Sequence, residues 1–182
     1  MNLRFCGFGG QGIVLSGYIL GSAAADDNLN ALQTQSYGSE SRGGACKSDV
    51  IISQEEIYEI EIEWLDVLVA FSQPAYDMYF NRLREGGVLI IEEDLVRPAD
   101  HCPFKPYRIK ATDIAFKQFG RKIMANMVML GFITPIVQPV SKAALEKAVR
   151  SNAPRGTEEA NLAAFTEGYR LGLETLKERG HA

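Results

Sequence analysis

The opening segment Leu3-Arg4-Phe5-Cys6-Gly7-Phe8-Gly9-Gly10-Gln11-Gly12 constrains the fold more than any other stretch of the chain. Leu3 to Cys6 reads as a short strand that runs directly into a Gly-x-Gly-x-x-Gly loop made by Gly7, Gly9 and Gly12. From Gln11 to Ala25, the apolar positions Ile13, Val14, Leu15, Ile19 and Leu20 with small residues between them predict a buried helix. Strand, glycine turn and helix in that order open a parallel α/β unit. Glycine lets the turn tighten and lets a guest approach the backbone, while the helix start offers N–H groups and the positive end of its dipole. Gly7, Gly9, Gly10, Gln11 and Gly12 therefore read as a cradle for a phosphate, pyrophosphate or carboxylate. A tight strand–helix turn that holds no ligand explains the same glycines.

The rest of the chain continues the alternation. Strands are expected at Asn30–Gln35, Asp49–Ser53, Asp66–Phe71, Val88–Glu92 and Tyr107–Lys110. Ser36–Lys47 is polar and Gly-rich and reads as a loop. Ile57, Glu59 and Glu61 alternate with Tyr58, Ile60 and Ile62, which predicts a partly exposed hairpin or edge strand whose glutamates face water. Helices are expected at Pro74–Arg84, ended by Gly86-Gly87, and at Thr112–Phe119, Lys122–Ile133, Ser141–Ser151 and Thr157–Leu176, with Ser141 and Thr157 as N-caps. Met124, Met127 and Met129 read as core filler. The expected architecture is a three-layer α/β/α domain spanning 1–182. It has a mainly parallel Rossmann-like sheet, an inserted antiparallel hairpin and C-terminal helices.

Charge and cysteine usage exclude several function classes. A net charge of -4 gives no broad electrostatic footprint for nucleic acid. The longest apolar runs, such as Val88-Leu89-Ile90-Ile91, are too short to cross a bilayer, and the N-terminus lacks a secretory pattern, so the expected location is the cytoplasm. Cys6, Cys46 and Cys102 form no Cys-x-x-Cys pair, so neither an iron–sulfur cluster, a structural zinc nor any other metal site is expected in this chain. No residue is assigned to catalysis.

A dinucleotide enzyme should carry an acidic residue about 20 residues beyond the glycine loop, at the end of the second strand. Here that strand ends Leu32-Gln33-Thr34-Gln35, which counts against a free-standing NAD(P)-dependent dehydrogenase. A nucleotide-binding assembly module without chemistry is the other alternative. In the polar loop, Arg42 beside Gly43-Gly44 suits a phosphate or carboxylate, or a carboxylate on a partner. Lys47 offers further positive charge. Asn126, in an otherwise apolar helix, needs hydrogen-bond partners in its own fold or at an interface. The Gln73-Pro74-Ala75-Tyr76 turn follows a central strand and is a secondary candidate.

Four segments, in this order, resemble the gamma subunit of 2-oxoacid:ferredoxin oxidoreductases. They are Gly7–Gly12, Gln35–Lys47 running into Val50–Ser53, Leu68–Gln73 with Gly86–Ile90, and Ala125-Asn126-Met127-Val128-Met129-Leu130-Gly131. The stretch Arg42-Gly43-Gly44-Ala45-Cys46-Lys47 resembles members that act on 2-oxoglutarate, while Ser39 stands where many relatives have proline. The resemblance implies coenzyme A-dependent oxidative decarboxylation of a 2-oxoacid by a complex with alpha, beta and ferredoxin-like delta subunits. It implies ferredoxin or a similar electron acceptor, and thiamine diphosphate, Mg and iron–sulfur clusters in the partner subunits. This chain alone is then expected to hold no cofactor and to be inactive. Coenzyme A would sit at a shared site near the glycine loop, Arg42, Gly43, Gly44 and Lys47, with Tyr37, Glu40, Arg42 and Asn126 at the subunit interface.

Overall fold

A computed structural model of the chain describes residues 1–36 and 45–180. The strands are β1 (Asn2–Phe8), β2 (Asn30–Ser36), β3 (Ala45–Ser53), β4 (Leu65–Ala70), β5 (Leu83–Glu92) and β6 (Tyr107–Ile109). The helices are α1 (Ile13–Asp26), α2 (Gln73–Tyr79), α3 (Ala111–Phe119), α4 (Ala125–Val137), α5 (Lys142–Asn152) and α6 (Glu158–Glu178). The strands form one sheet in the order β2-β3-β1-β4-β5-β6. β4 runs parallel to β1, β5 to β4 and β6 to β5, while β3 is antiparallel to both β1 and β2. The sheet is thus mainly parallel, with one reversed strand.

Alternation along the strands sorts side chains onto two faces. Leu3 and Phe5 of β1 join Val67 and Val69 of β4 in a core shared with α1, α3, α4, α5 and α6. Cys6, Leu68, Ala70 and Leu89 face the opposite way, into a smaller core with Ala75 and Tyr76 of α2 and the Pro-rich stretch around Phe104. β4 is covered on both faces, so Leu65-Asp66-Val67-Leu68-Val69-Ala70 is almost uniformly apolar. In α4 every residue from Ala125 to Pro135 is buried. It packs against α6 at backbone distance: a Cβ on Gly131 would stand 1.9 Å from the Phe165 carbonyl, and one on Gly168 would stand 1.9 Å from that of Val128.

Four local expectations are corrected. The antiparallel hairpin is β2–β3, paired without a break from Asn30↔Ser53 to Ser36↔Lys47, whereas Ile57–Ile62 joins no strand. The helix after β4 stops at Tyr79, a turn of 3-10 helix covers Phe80–Arg82, and Gly86-Gly87 lie inside β5. They form a bulge there: Leu65 pairs with Leu83 but Val67 with Val88, and Gly86 adopts φ 75°, which a glycine accepts without a Cβ clash. A turn of 3-10 helix at Lys122–Met124 precedes α4, and the helix runs on past Ile133 to Val137 through Pro135. Ser141 caps α5 by accepting from the Ala144 N–H at 3.1 Å, but the Thr157 hydroxyl instead donates to the Pro154 carbonyl at 2.7 Å and leaves α6 without a side-chain cap.

Candidate functional site

α1 and α2 leave β1 and β4 toward opposite sides of the sheet order, because β1 leads through α1 to β2 and β4 leads through α2 to β5. The crevice beyond the carboxyl ends of two such strands is where open α/β sheets place ligands. The glycine loop occupies it. Gln11 pins the loop from within: its Oε1 accepts from the Phe8 N–H at 2.6 Å and its Nε2 donates to the Phe71 carbonyl, just past β4, at 3.2 Å.

The glycines of this loop divide into two kinds. Gly7 and Gly12 are demanded by the fold itself. A Cβ on Gly7 would lie 2.4 Å from Gln11 Oε1 and 2.9 Å from Phe71 Cβ. Gly12 has φ 75°, and a Cβ there would lie 2.3 Å from Asn126 Nδ2. Gly10 is required by its backbone, at φ 88°. Gly9 has neither reason among the described residues, since a Cβ there meets none of them within 4 Å and its φ is not left-handed.

Asn126 is the partner that sequence reading left undecided. It is buried at the start of α4, and its Nδ2 donates to the Gly12 carbonyl at 3.4 Å while its Oδ1 accepts from the Met127 N–H at 2.9 Å. The glycine loop and the Ala-Asn-Met helix, distant in sequence, are one packed unit. Met124, Met127 and Met129 are buried around it, as expected of core filler.

Beside the loop lies a cavity of about 650 Å³, walled by Phe8, Ile13, Leu15, Tyr18 and Ile123 and also lined by Gln33, Gln35 and Cys46. A second cavity of about 340 Å³ shares Gly12, Leu15 and Ile123 with it and carries Arg121 and Asn161. Phe8, Tyr18 and Ile123 are 43%, 52% and 50% exposed, so the walls are apolar and open. The first four N–H groups of a helix have no intrahelical acceptor, and Gly12 has no side chain with which to cap those of α1. The described residues therefore present N–H groups and apolar walls, and none of those lining the first of these cavities is basic.

Lys47 is not brought to this cavity. It lies on the opposite face of the sheet, where its Nζ is 3.0 Å from Asp49 Oδ2. Arg4 binds the same carboxylate through two nitrogens, with Nη2–Oδ2 at 2.7 Å, and its guanidinium also lies 4.6 Å from the centre of the Tyr79 ring. Both partners are buried, at 5% and 3% exposure. This charged cluster floors a cavity of about 840 Å³ and was missed by sequence reading, although opposite charges inside two apolar strands were its available signal. Gln73 is engaged locally, accepting from the Arg97 N–H at 2.7 Å and donating to Asp77 at 2.8 Å. Tyr37, Glu40, Arg42, Gly43 and Gly44 lie outside the described residues. The residues flanking them, Ser36 and Ala45, stand at the carboxyl end of β1, and Ala45 pairs with Phe8.

Burial pushes the Cys6 thiol up, far from the thiolate range, and raises that of Cys46. Among the described residues no three His, Cys, Asp or Glu side chains converge as a metal site would need. No described helix is long and apolar enough to cross a membrane.

A family model described as pyruvate ferredoxin/flavodoxin oxidoreductase matches residues 2–171. The 2-oxoglutarate synthase subunit KorC of Methanocaldococcus jannaschii is 49% identical over 176 residues, covering 94% of each chain. That of Methanothermobacter thermautotrophicus is 44% identical over 179 residues, covering 94% of this chain and 95% of its own. The solved structure of a keto/oxoacid ferredoxin oxidoreductase gamma subunit from Geobacter sulfurreducens superimposes with a TM-score of 0.85 at 41% identity, covering 95% of this chain and 98% of the other. The same fold recurs within a longer chain, the 2-oxoglutarate:ferredoxin oxidoreductase of Magnetococcus marinus solved with 2-oxoglutarate, coenzyme A and succinyl-CoA bound. There the TM-score is 0.82 at 24% identity, over 96% of this chain and 31% of that one.

Proposed function

The chain belongs to the pyruvate ferredoxin/flavodoxin oxidoreductase family, and we propose that it is the gamma subunit of a 2-oxoglutarate:ferredoxin oxidoreductase complex that forms succinyl-CoA. In this reading the chain has no catalytic group of its own. It contributes the glycine-loop wall of a coenzyme A site completed by partner subunits, which carry the thiamine diphosphate, Mg and iron–sulfur clusters. The partners are alpha, beta and ferredoxin-like delta subunits, the acceptor is a ferredoxin, and the complex works in the cytoplasm.

One observation carries the coenzyme A assignment. Gly9 is a glycine that no contact with another described residue and no backbone angle requires, placed at the crevice where a parallel sheet receives ligands. Its lack of a side chain serves whatever approaches the loop from outside. The residues around it fit part of coenzyme A. Backbone N–H groups at the α1 start can meet an acceptor oxygen, and the apolar walls at Phe8, Tyr18 and Ile123 can cover the thiol-bearing arm. The cationic complement for the phosphates is assigned to Arg42, with Gly43 and Gly44 permitting close approach, and to side chains of the partners.

The test uses the intact complex, purified without oxygen and assayed by coenzyme A-dependent viologen reduction with 2-oxoglutarate. Gly9→Ala and Arg42→Ala should each raise the KM for coenzyme A by about ten-fold, equivalent to 1.4 kcal/mol of binding, with the KM for 2-oxoglutarate and the iron content unchanged. Unchanged coenzyme A kinetics in both variants would remove the assignment, and a preference for pyruvate would replace the 2-oxoglutarate subtype.

A further inference from the structure

Between Ser53 at the end of β3 and Leu65 at the start of β4, the chain forms an arm that belongs to no helix or strand. Its sequence is nevertheless that of a strand, with Tyr58, Ile60, Ile62 and Trp64 alternating with Glu59, Glu61 and Glu63. Among the described residues, no backbone group from Glu56 to Glu63 forms a backbone hydrogen bond. An exposed row of free N–H and C=O groups is a template for another strand.

Three features distinguish the arm from an ordinary surface loop. Three of its large apolar side chains are exposed, Tyr58 at 84%, Ile60 at 62% and Trp64 at 51%. It is held at both ends: Asn30 Nδ2 donates to the Glu55 carbonyl at 3.1 Å, Asn2 Nδ2 donates to the Trp64 carbonyl at 3.2 Å, and Ile62 packs against the smaller core. A partner would therefore meet a segment fixed at both ends, with less conformational freedom left to lose on binding. Finally, Glu55, Glu56, Glu59, Glu61 and Glu63 stand between Gln54 and Trp64 with no Lys or Arg among them. None of the five takes part in an ion pair among the described residues.

We propose that Glu56–Trp64 is a docking strand for a partner protein that presents an extended segment of alternating apolar and basic residues. The partner strand hydrogen-bonds along the free backbone edge. Its apolar side chains cover Tyr58, Ile60 and Trp64, and its Lys or Arg residues lie opposite Glu59, Glu61 and Glu63. A second copy of this chain is disfavoured as occupant, because two acidic arms repel each other. This inference does not depend on the coenzyme A assignment.

The test uses the full chain with a fluorescent peptide of alternating Lys and Val, and its Glu–Val counterpart as control. The Lys–Val peptide should bind saturably, weaken as salt is raised past the range where the Debye length falls to about 8 Å, and slow amide hydrogen exchange across residues 57–63. E59K/E61K/E63K should abolish that binding and accept the Glu–Val peptide, while Y58S/I60S/W64S should weaken it at least about ten-fold, which is 1.4 kcal/mol. All six positions are at the surface, so both variants should keep the parent thermal midpoint. Absence of saturable binding overturns the proposal, as does binding that leaves exchange in the arm unchanged or survives the charge reversal.

Discussion

The two faces of the sheet solve the same packing problem with different means. On one face, α1, α3, α4, α5 and α6 form a thick apolar layer. There α4 and α6 approach so closely that Gly131 and Gly168 meet the other helix's backbone. On the other face, α2 and irregular chain form a thin layer, and over β1 and β3 it leaves the buried pair of Arg4 and Asp49, joined by half-buried Lys47, beneath an open cavity. The lesson is that each face is vulnerable to a different chemical insult: added volume on the first, unbalanced charge on the second.

Substitutions that exchange those insults test the comparison. The largest effect is expected from Asp49→Ala, which leaves two cations on the thin face without their carboxylate. Removing one partner of a buried pair costs about 3–5 kcal/mol, read as a fall in the urea midpoint. The double variant Arg4→Met/Asp49→Leu should recover most of that loss, and a double variant as unstable as the single one would mean that charge balance is not what the thin face requires.

On the thick face, Gly131→Ala adds only a methyl group but places it against the Phe165 carbonyl. Overpacking of this kind costs about 1–3 kcal/mol, and more when backbone must shift, so the α4–α6 seam should loosen and exchange its amides faster. A variant of parental stability would show that the two helices can separate without cost.

A smaller, pH-dependent effect is expected at Glu92, the charged exception at the edge of the thick layer. Its Oε2 accepts from both the N–H and the hydroxyl of Thr112 at 2.9 Å, and its Oε1 has no partner among the described residues. Burial raises its pKa above the ordinary carboxyl range, against the lowering effect of the Thr112 bonds. Because the folded state holds the proton more tightly than the unfolded chain, the group favours folding most below its ordinary pKa, and this support fades as pH rises through the raised value. Denaturant midpoints measured from acidic to neutral pH should therefore fall for the parent relative to Glu92→Gln, and parallel curves would contradict this.

The smallest effect is the control. Gly21 lies in α1, and a methyl group added there would meet no other described residue within 4 Å, so Gly21→Ala should stabilise by about 0.5–1 kcal/mol through helix propensity alone. A loss of stability there would mean that the thick face resists volume generally and not at specific contacts.

Much of the element order was legible because it rests on local periodicity. Ile13 to Leu20 at helical spacing, the apolar run of β4 and the Ser141 cap each depend on residues a few positions apart. Ile57–Ile62 shows the limit of that reasoning: strand alternation is present, but whether a strand forms depends on a neighbour to pair with, and β2 already occupies the free edge of β3. Gly86-Gly87 misled for a related reason, since glycine marks a helix end or a strand bulge equally well until the register with β4 is known.

The candidate site divides in the same way. Its glycine loop, the strand before it and the helix after it were determined by the sequence alone, because a chain that turns so sharply must use glycine within a few residues. Tertiary structure alone decided that Asn126 closes on Gly12, that no other described residue crowds Gly9, and that Lys47 sits across the sheet with Arg4 and Asp49. Those outcomes depend on strand order and register, which bring together residues too far apart in the chain for any local pattern to connect.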